Sequence, residues 1–157
     1  SVLLQTRMES FRNTKTLKYM FDETKKYKKN GHFFFKKGDL LSEVSHDVLE
    51  LPGVFYIIRL ARGSVELVYI GSSGTVTKNG QFTGQLLKSR INGTQNGMKR
   101  QDFFNKKMTE ENIDGLDIYW FVTIDKSNDD LPAFVKGQLM QRFYEVHGRL
   151  PLWNEEF

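Results

Sequence analysis

Val54-Phe55-Tyr56-Ile57-Ile58-Arg59-Leu60 and Val65-Glu66-Leu67-Val68-Tyr69-Ile70-Gly71, separated by Ala61-Arg62-Gly63-Ser64, are the stretch on which the fold turns. Both runs are dense in β-branched and aromatic residues, and the break between them carries a glycine, so they read as a hairpin. With Arg62-Gly63 as a two-residue turn, pairing outward sets Arg59 opposite Glu66, Ile58 opposite Leu67 and Tyr56 opposite Tyr69. That register joins opposite charges. Because side chains alternate between faces, it also predicts two phenols side by side on one face of the ribbon.

Working outward, Ile118-Tyr119-Trp120-Phe121-Val122-Thr123-Ile124 is the next clear strand, expected to complete a three-stranded antiparallel sheet with the hairpin. Asp130-Leu131-Pro132 supplies a cap and a first-turn proline for a helix running to about Tyr144 or Val146, stopped by His147-Gly148. Between hairpin and strand, Ser72 to Gly84 reads as an extended loop. A helix over Gln85 to Ile91 follows, then the polar Asn92 to Gly97, then a helix through Phe103, Phe104 and Met108. Upstream, Ser10 to Lys29 is rich in helix formers, with Leu17, Met20 and Phe21 on one face. His32 to Phe35 reads as either a strand or an aromatic anchor, and Leu40 to Leu49 as a short helix with Leu41, Val44 and Val48 turned inward. The expected class is α+β: a small three-stranded antiparallel sheet flanked by helices over residues 52–157, with an N-terminal helical arm, 8–51, packed against it. Residues 1–7 precede Met8 and read as a remnant ahead of a natural start there.

At 157 residues the chain suits one compact domain and is short for two. No run of about eighteen apolar residues and no charged-then-apolar leader occurs, so the sequence reads as neither membrane-spanning nor secreted. The absence of cysteine excludes disulfides and thiolate metal sites and agrees with a reducing cytoplasm. The net charge of +4 hides a segregation. Residues 76–107 hold Lys78, Lys88, Arg90, Lys99, Arg100, Lys106 and Lys107 against Asp102 alone, and residues 12–37 are also strongly basic. Residues 108–131 are acidic, with Lys126 their one basic residue. Such segregation favours a face that meets a polyanion, although solvated helix faces also produce it.

The hairpin resembles the paired motif of the GIY-YIG nuclease family, with Val54-Phe55-Tyr56-x-Ile58 for the first half and Tyr69-Ile70-Gly71 for the second. In the first half Gly53 lies one residue early and Val54-Phe55 stand for Gly-Ile. Reading Phe55 as the motif tyrosine is the alternative; it breaks the Tyr56/Tyr69 pairing, so Tyr56 is preferred. The resemblance implies a divalent-metal-dependent DNA endonuclease, using Mg²⁺ or Mn²⁺, stand-alone and of restriction character, from a bacterium or phage. It further implies catalytic roles for Tyr56 and Tyr69, for Arg90 on the helix after the second half, and for Asn154 in the tail. Arg90 lies 21 residues past Tyr69, farther than in compact members, and the loop from Ser72 to Gly84 accounts for the excess. A planar, permanently charged guanidinium suits a phosphate that gains charge during substitution. A phenol ionises near pH ~10 when unperturbed, so a tyrosine acting as general base there, Tyr56 by preference, needs nearby cations. His147 is a further candidate, although a histidine at a helix end is more often a cap.

The family's metal-binding glutamate falls at Lys136, which shares a helix face with Leu139, Met140 and Phe143. An ammonium offers donors only and repels a cation, so no metal is expected in this chain and cleavage should be crippled. DNA is the expected partner, met by Lys78, Lys88, Lys99, Arg100, Lys106 and Lys107. Gln81, Gln85, Gln95, Asn96, Lys99, Arg100 and Gln101 carry donors and acceptors suited to bases, with no ground in the sequence for choosing among them. A lone domain that cuts both strands needs two copies or two encounters, which makes a homodimer one expectation. The competing readings are a naturally inactive DNA-binding module on the same fold, with Lys136 as a phosphate contact, and an unrelated domain that binds a protein through its acidic face.

Overall fold

The computed structural model describes residues 22–157. The expected helical stripe of Leu17, Met20 and Phe21, and the remnant 1–7, lie outside the described residues; at the described end of that expected helix, Asp22–Thr24 is a single 3-10 turn and residues 25–29 are not helical. Nine-residue strands β2 (Gly53–Ala61) and β3 (Ser64–Ser72) form the hairpin, with Arg62 and Gly63 both at positive φ, as a type I′ turn requires. Strand β8 (Ile113–Val122) pairs antiparallel with β2 on the side away from β3. Among the described residues the sheet has four strands, not the three expected. Asn30–Phe35 is β1, and it pairs with the outer edge of β8, giving the order β1-β8-β2-β3. The aromatic run His32–Phe35 is therefore a strand, because its alternation lets Phe35 enter the core while His32 stacks on Tyr119 across the ladder.

Both sheet faces are covered, which is why β2 and β8 read as near-continuous apolar runs rather than alternations. On one face Tyr56, Ile58, Tyr119 and Phe121 pack under the long helix α4 (Pro132–His147) through its Val135, Leu139, Met140 and Phe143. On the other, Phe55, Ile57, Val68, Ile118 and Trp120 pack under three helices: α1 (Leu41–Val44), α2 (Leu87–Ile91) and α3 (Arg100–Glu110). The stretch expected as a loop between hairpin and α2 contains a small ribbon, β4 (Thr75–Val76) with β5 (Phe82–Thr83). A second, β6 (Thr94–Gln95) with β7 (Met98–Lys99), joins α2 to α3 over an Asn96-Gly97 turn at positive φ. No helix of the described residues is long and apolar enough to cross a membrane.

The register departs from the expected one at a single place. Arg59 pairs with Glu66 and Ile58 with Leu67 as the turn dictates, but Ile57 pairs with Tyr69 and Tyr56 with Ile70. Val68 is the extra residue of a β-bulge, and one inserted residue turns everything beyond it to the other face. The first turn of α4 also differs. Its N-cap is Leu131 and makes no side-chain cap. The Asp130 carboxylate, expected there, instead accepts from the Tyr27 hydroxyl at 2.6 Å and pairs with Lys26 at 2.6 Å, tying the segment before β1 to the start of α4.

Two outcomes follow. Gly53 has no room for a methyl, since a Cβ there would lie 2.0 Å from the Phe121 carbonyl oxygen in the neighbouring strand. Gly53→Ala should destabilise the protein by about 3 kcal/mol in urea unfolding, a backbone clash being at the upper end of overpacking costs; an unchanged midpoint would refute the close approach. The hydrogen bonds from Lys26 and Tyr27 hold Asp130 below its ordinary 3.8. The stability they contribute is present above that value and lost as pH falls through the lower folded value. Asp130→Asn should flatten the acid limb of the stability curve.

Candidate functional site

The bulge decides which groups meet. Tyr69 comes to the face of Phe55 and Ile57, with the Phe55 and Tyr69 ring centroids 5.9 Å apart. Tyr56 lies on the opposite face, buried in a stack with Tyr119 at 5.2 Å and Phe121 at 5.8 Å. The expected Tyr56/Tyr69 pair is thus not formed, and Tyr56 belongs to the core beneath α4. Phe55 is the aromatic that faces Tyr69. Gly71 is required between them: a Cβ there would fall 2.6 Å from the Phe55 ring and 2.9 Å from that of Tyr69.

Over these two rings sits Arg100, its guanidinium carbon 5.1 Å from the Phe55 centroid and 5.3 Å from that of Tyr69. Arg100 was grouped with the surface cations by sequence, yet it has no exposed area. It is the first residue of α3, and the Asn96-Gly97 turn folds β6 back so that Gln95 Oε1 accepts from it at 2.5 Å. The Arg90 carbonyl accepts a second, longer bond of 3.3 Å. Burial pushes the Arg100 guanidinium down to about 10; the Arg90 charge adds to the shift, while the charge and hydrogen bond of Tyr69 oppose it. It remains a cation at neutral pH.

Arg90, on α2, lines a cleft of about 570 Å³ together with the Ser72–Gly74 turn, Phe82 and Gln85 on one side and Leu131, Pro132 and Ala133 from the start of α4 on the other. Among the described residues neither Arg90 nor Arg100 has a carboxylate partner, and the Nε of each is buried without a hydrogen-bond partner. Two neighbouring guanidiniums, one of them wholly desolvated, raise each other's energy unless an anion joins them. Among the described residues no carboxylate lines the cleft. The arrangement is suited to receiving a small oxyanion.

Asn154 works on the backbone beside Tyr69. Its Oδ1 accepts from the Ile70 N–H at 2.9 Å and its Nδ2 donates to the Ile70 carbonyl at 3.0 Å, while the Trp153 N–H donates to the bulge carbonyl of Val68 at 2.8 Å. The tail thereby closes the outer edge of β3 where the bulge breaks it. Lys136 is half-buried one turn beyond Pro132 and Ala133, its ammonium 5.6 Å from the centroid of Phe157. His147 is at the far end of α4, packed on Phe143 at 4.2 Å, and takes no part in the cleft; burial and Arg149 lower its pKa.

Of the other expected DNA contacts, Lys78, Lys99 and Lys106 are exposed, and Lys88 is half-buried on α2. Lys107 is engaged with Glu111 at 3.4 Å and with the Phe103 ring. As for a metal, Lys136 has no lone pair to give when charged, and no group of three or more His, Cys, Asp or Glu among the described residues could hold one. A charged lysine at position 136 does not itself fit a divalent ion. Sequence reading set Phe55 aside in favour of Tyr56 and missed the burial of Arg100, for which the one available signal was Asn96-Gly97, a hairpin dipeptide that folds the chain back onto Arg100.

Inorganic pyrophosphate at constant ionic strength should raise Tm. At ten times its Kd the gain is about 1.4 kcal/mol, or roughly 4 °C for a domain of this size. Arg90→Ala should abolish the rise; an equal rise in the variant would place the anion elsewhere. No known family model matches this chain, and no curated protein or solved structure does either.

Proposed function

We propose that the chain is a DNA-binding domain of the GIY-YIG endonuclease type that keeps the phosphate-receiving half of its centre and lacks the metal-holding half. The observation that carries this is the pair Arg90 and Arg100, cationic, neighbouring and without a carboxylate partner among the described residues, set against Tyr69 of the Tyr69-Ile70-Gly71 motif. A phosphodiester supplies the missing negative charge, and Arg90 presents the group that would hold it.

The motif then aligns as Gly53-Val54-Phe55 with Tyr69-Ile70-Gly71, the alternative that the hairpin alone disfavoured. In this alignment the two aromatics share a face, and the first has lost its hydroxyl. With Phe55 unable to handle a proton and Lys136 unable to bind a cation, binding survives and hydrolysis does not. Asn154, by fixing Ile70, holds Tyr69 in position against Arg100.

Binding should be steeply dependent on salt. With about four phosphate contacts, affinity for a short duplex falls on the order of 100-fold between roughly 50 and 200 mM salt. Chelator should not change it, and Arg90→Ala should weaken it by about tenfold or more at fixed salt. Lys136→Glu, alone and with Phe55→Tyr, separates an impaired nuclease from a module that never cut. The nuclease reading expects divalent-metal-dependent cleavage from the folded variants, highest in the double one. A double variant that is folded, binds DNA and leaves duplex and branched substrates intact would overturn it in favour of the binding module.

A further inference from the structure

The ribbon β4–β5 is more finely built than a connecting loop requires. The Thr77 N–H donates to the Gln81 carbonyl at 2.8 Å, the Gly80 N–H to the Thr77 carbonyl at 2.9 Å, and Gly80 takes the left-handed conformation that closes the turn. Its base is anchored, since the Gly74 N–H donates to the Gln85 carbonyl at 2.9 Å and the half-buried Phe82 packs against Gly74. Everything from Thr75 to Gln81 is exposed, Val76 included. The backbone is ordered by its own hydrogen bonds while its side chains touch little of the body of the protein.

The anchored end of this ribbon is also one wall of the cleft that holds Arg90, through Phe82 and Thr75. Of the polar residues that the sequence offered for reading bases, the structure commits several elsewhere. Gln95 accepts from Arg100, Gln101 bonds the Leu41 N–H and the Asp39 carbonyl, and Arg100 is buried. The Gln81 side chain is exposed on the ribbon and makes no hydrogen bond among the described residues, with Lys78 and Asn79 at the tip.

Resting on the DNA-binding reading above, we propose that the ribbon Thr75–Thr83 enters the major groove beside the phosphate held at Arg90, and that Lys78, Asn79 and Gln81 read base edges there. The dimensions agree. Four residues of extended chain from Thr75 to the tip reach about 13 Å, and a two-stranded ribbon fits a groove about 12 Å wide. The chemistry agrees as well. An amide side chain matches the donor and acceptor that adenine presents in that groove, and an ammonium matches the two acceptors of guanine. Arg90 then fixes position on the backbone without carrying sequence information, and the ribbon carries it.

The test is binding-site selection from a randomised duplex pool in chelator, with the wild-type chain, the triple variant Lys78→Ala, Asn79→Ala, Gln81→Ala, and Arg90→Ala. Circular dichroism checks that each is folded. The wild type should select a short base pattern, each position worth on the order of tenfold in affinity. Methylation of guanine N7 within it should interfere. The triple variant should bind with the pattern erased, whereas Arg90→Ala should weaken binding to all sequences alike. If the triple variant selects the same pattern, if the wild type selects none, or if a minor-groove drug such as distamycin competes while N7 methylation is silent, the ribbon proposal falls and DNA binding stands. If the wild type binds no duplex at low salt, the reading beneath it falls too.

Discussion

A single extra residue in β3 governs which face of the sheet Tyr69 joins. Without the bulge at Val68, Tyr69 would pair with Tyr56 and point under α4, into a layer of Val135, Leu139, Met140 and Phe143 that offers a phenol only apolar contacts. With it, Tyr69 turns to the face where α2 and α3 bring their arginines. Bulges leave a carbonyl without its ladder partner, which is costly in an enclosed place. Here the Trp153 N–H takes the Val68 carbonyl, and the Asn154 amide satisfies Ile70 on the same edge. The tail and the bulge therefore depend on one another, and the position of Tyr69 depends on both.

The same face concentrates positive charge in a way that stability alone would not favour. Arg100 packs over two rings and donates to two neutral acceptors, and cation–π contact returns only part of what desolvation removes. Elsewhere the protein neutralises its part-buried guanidiniums with carboxylates: Arg59 by Glu66 and Glu111, and Arg142 by Glu23. The contrast within one chain is informative. At Arg90 and Arg100, where a carboxylate would be the stabilising choice, none stands among the described residues, and Arg90 lines a cleft.

Much of the scaffold was legible because it is governed by local rules. The Arg62-Gly63 turn, the Arg59/Glu66 pair, Pro132 at the start of α4 and the glycine that ends it all follow from backbone preferences that act within a few residues. The bulge was not legible, since Leu67, Val68, Tyr69 and Ile70 are all apolar enough to suit either face and the alternation that would betray an inserted residue is absent. β1 was ambiguous for the same reason, as three consecutive phenylalanines carry no period. Asp130 was expected as a cap on local grounds, but Tyr27, more than a hundred residues away in sequence, took its carboxylate. The resemblance drew attention to Arg90 and Asn154; Arg90 lines the cleft, and Asn154 bonds the β3 edge beside Tyr69. Arg100 was misread as a surface cation because nothing in a count of charges distinguishes a buried one.

The most direct measurement is of the two guanidiniums themselves. In a ¹⁵N-labelled sample, with chelator present, the Nε–H resonances of Arg90 and Arg100 are followed while a short DNA duplex is added. Both should shift and saturate together, Arg90 more strongly, with the same apparent Kd as the whole protein. Binding that saturates while these two resonances stay where they were, with the changes confined to surface lysines, would contradict this.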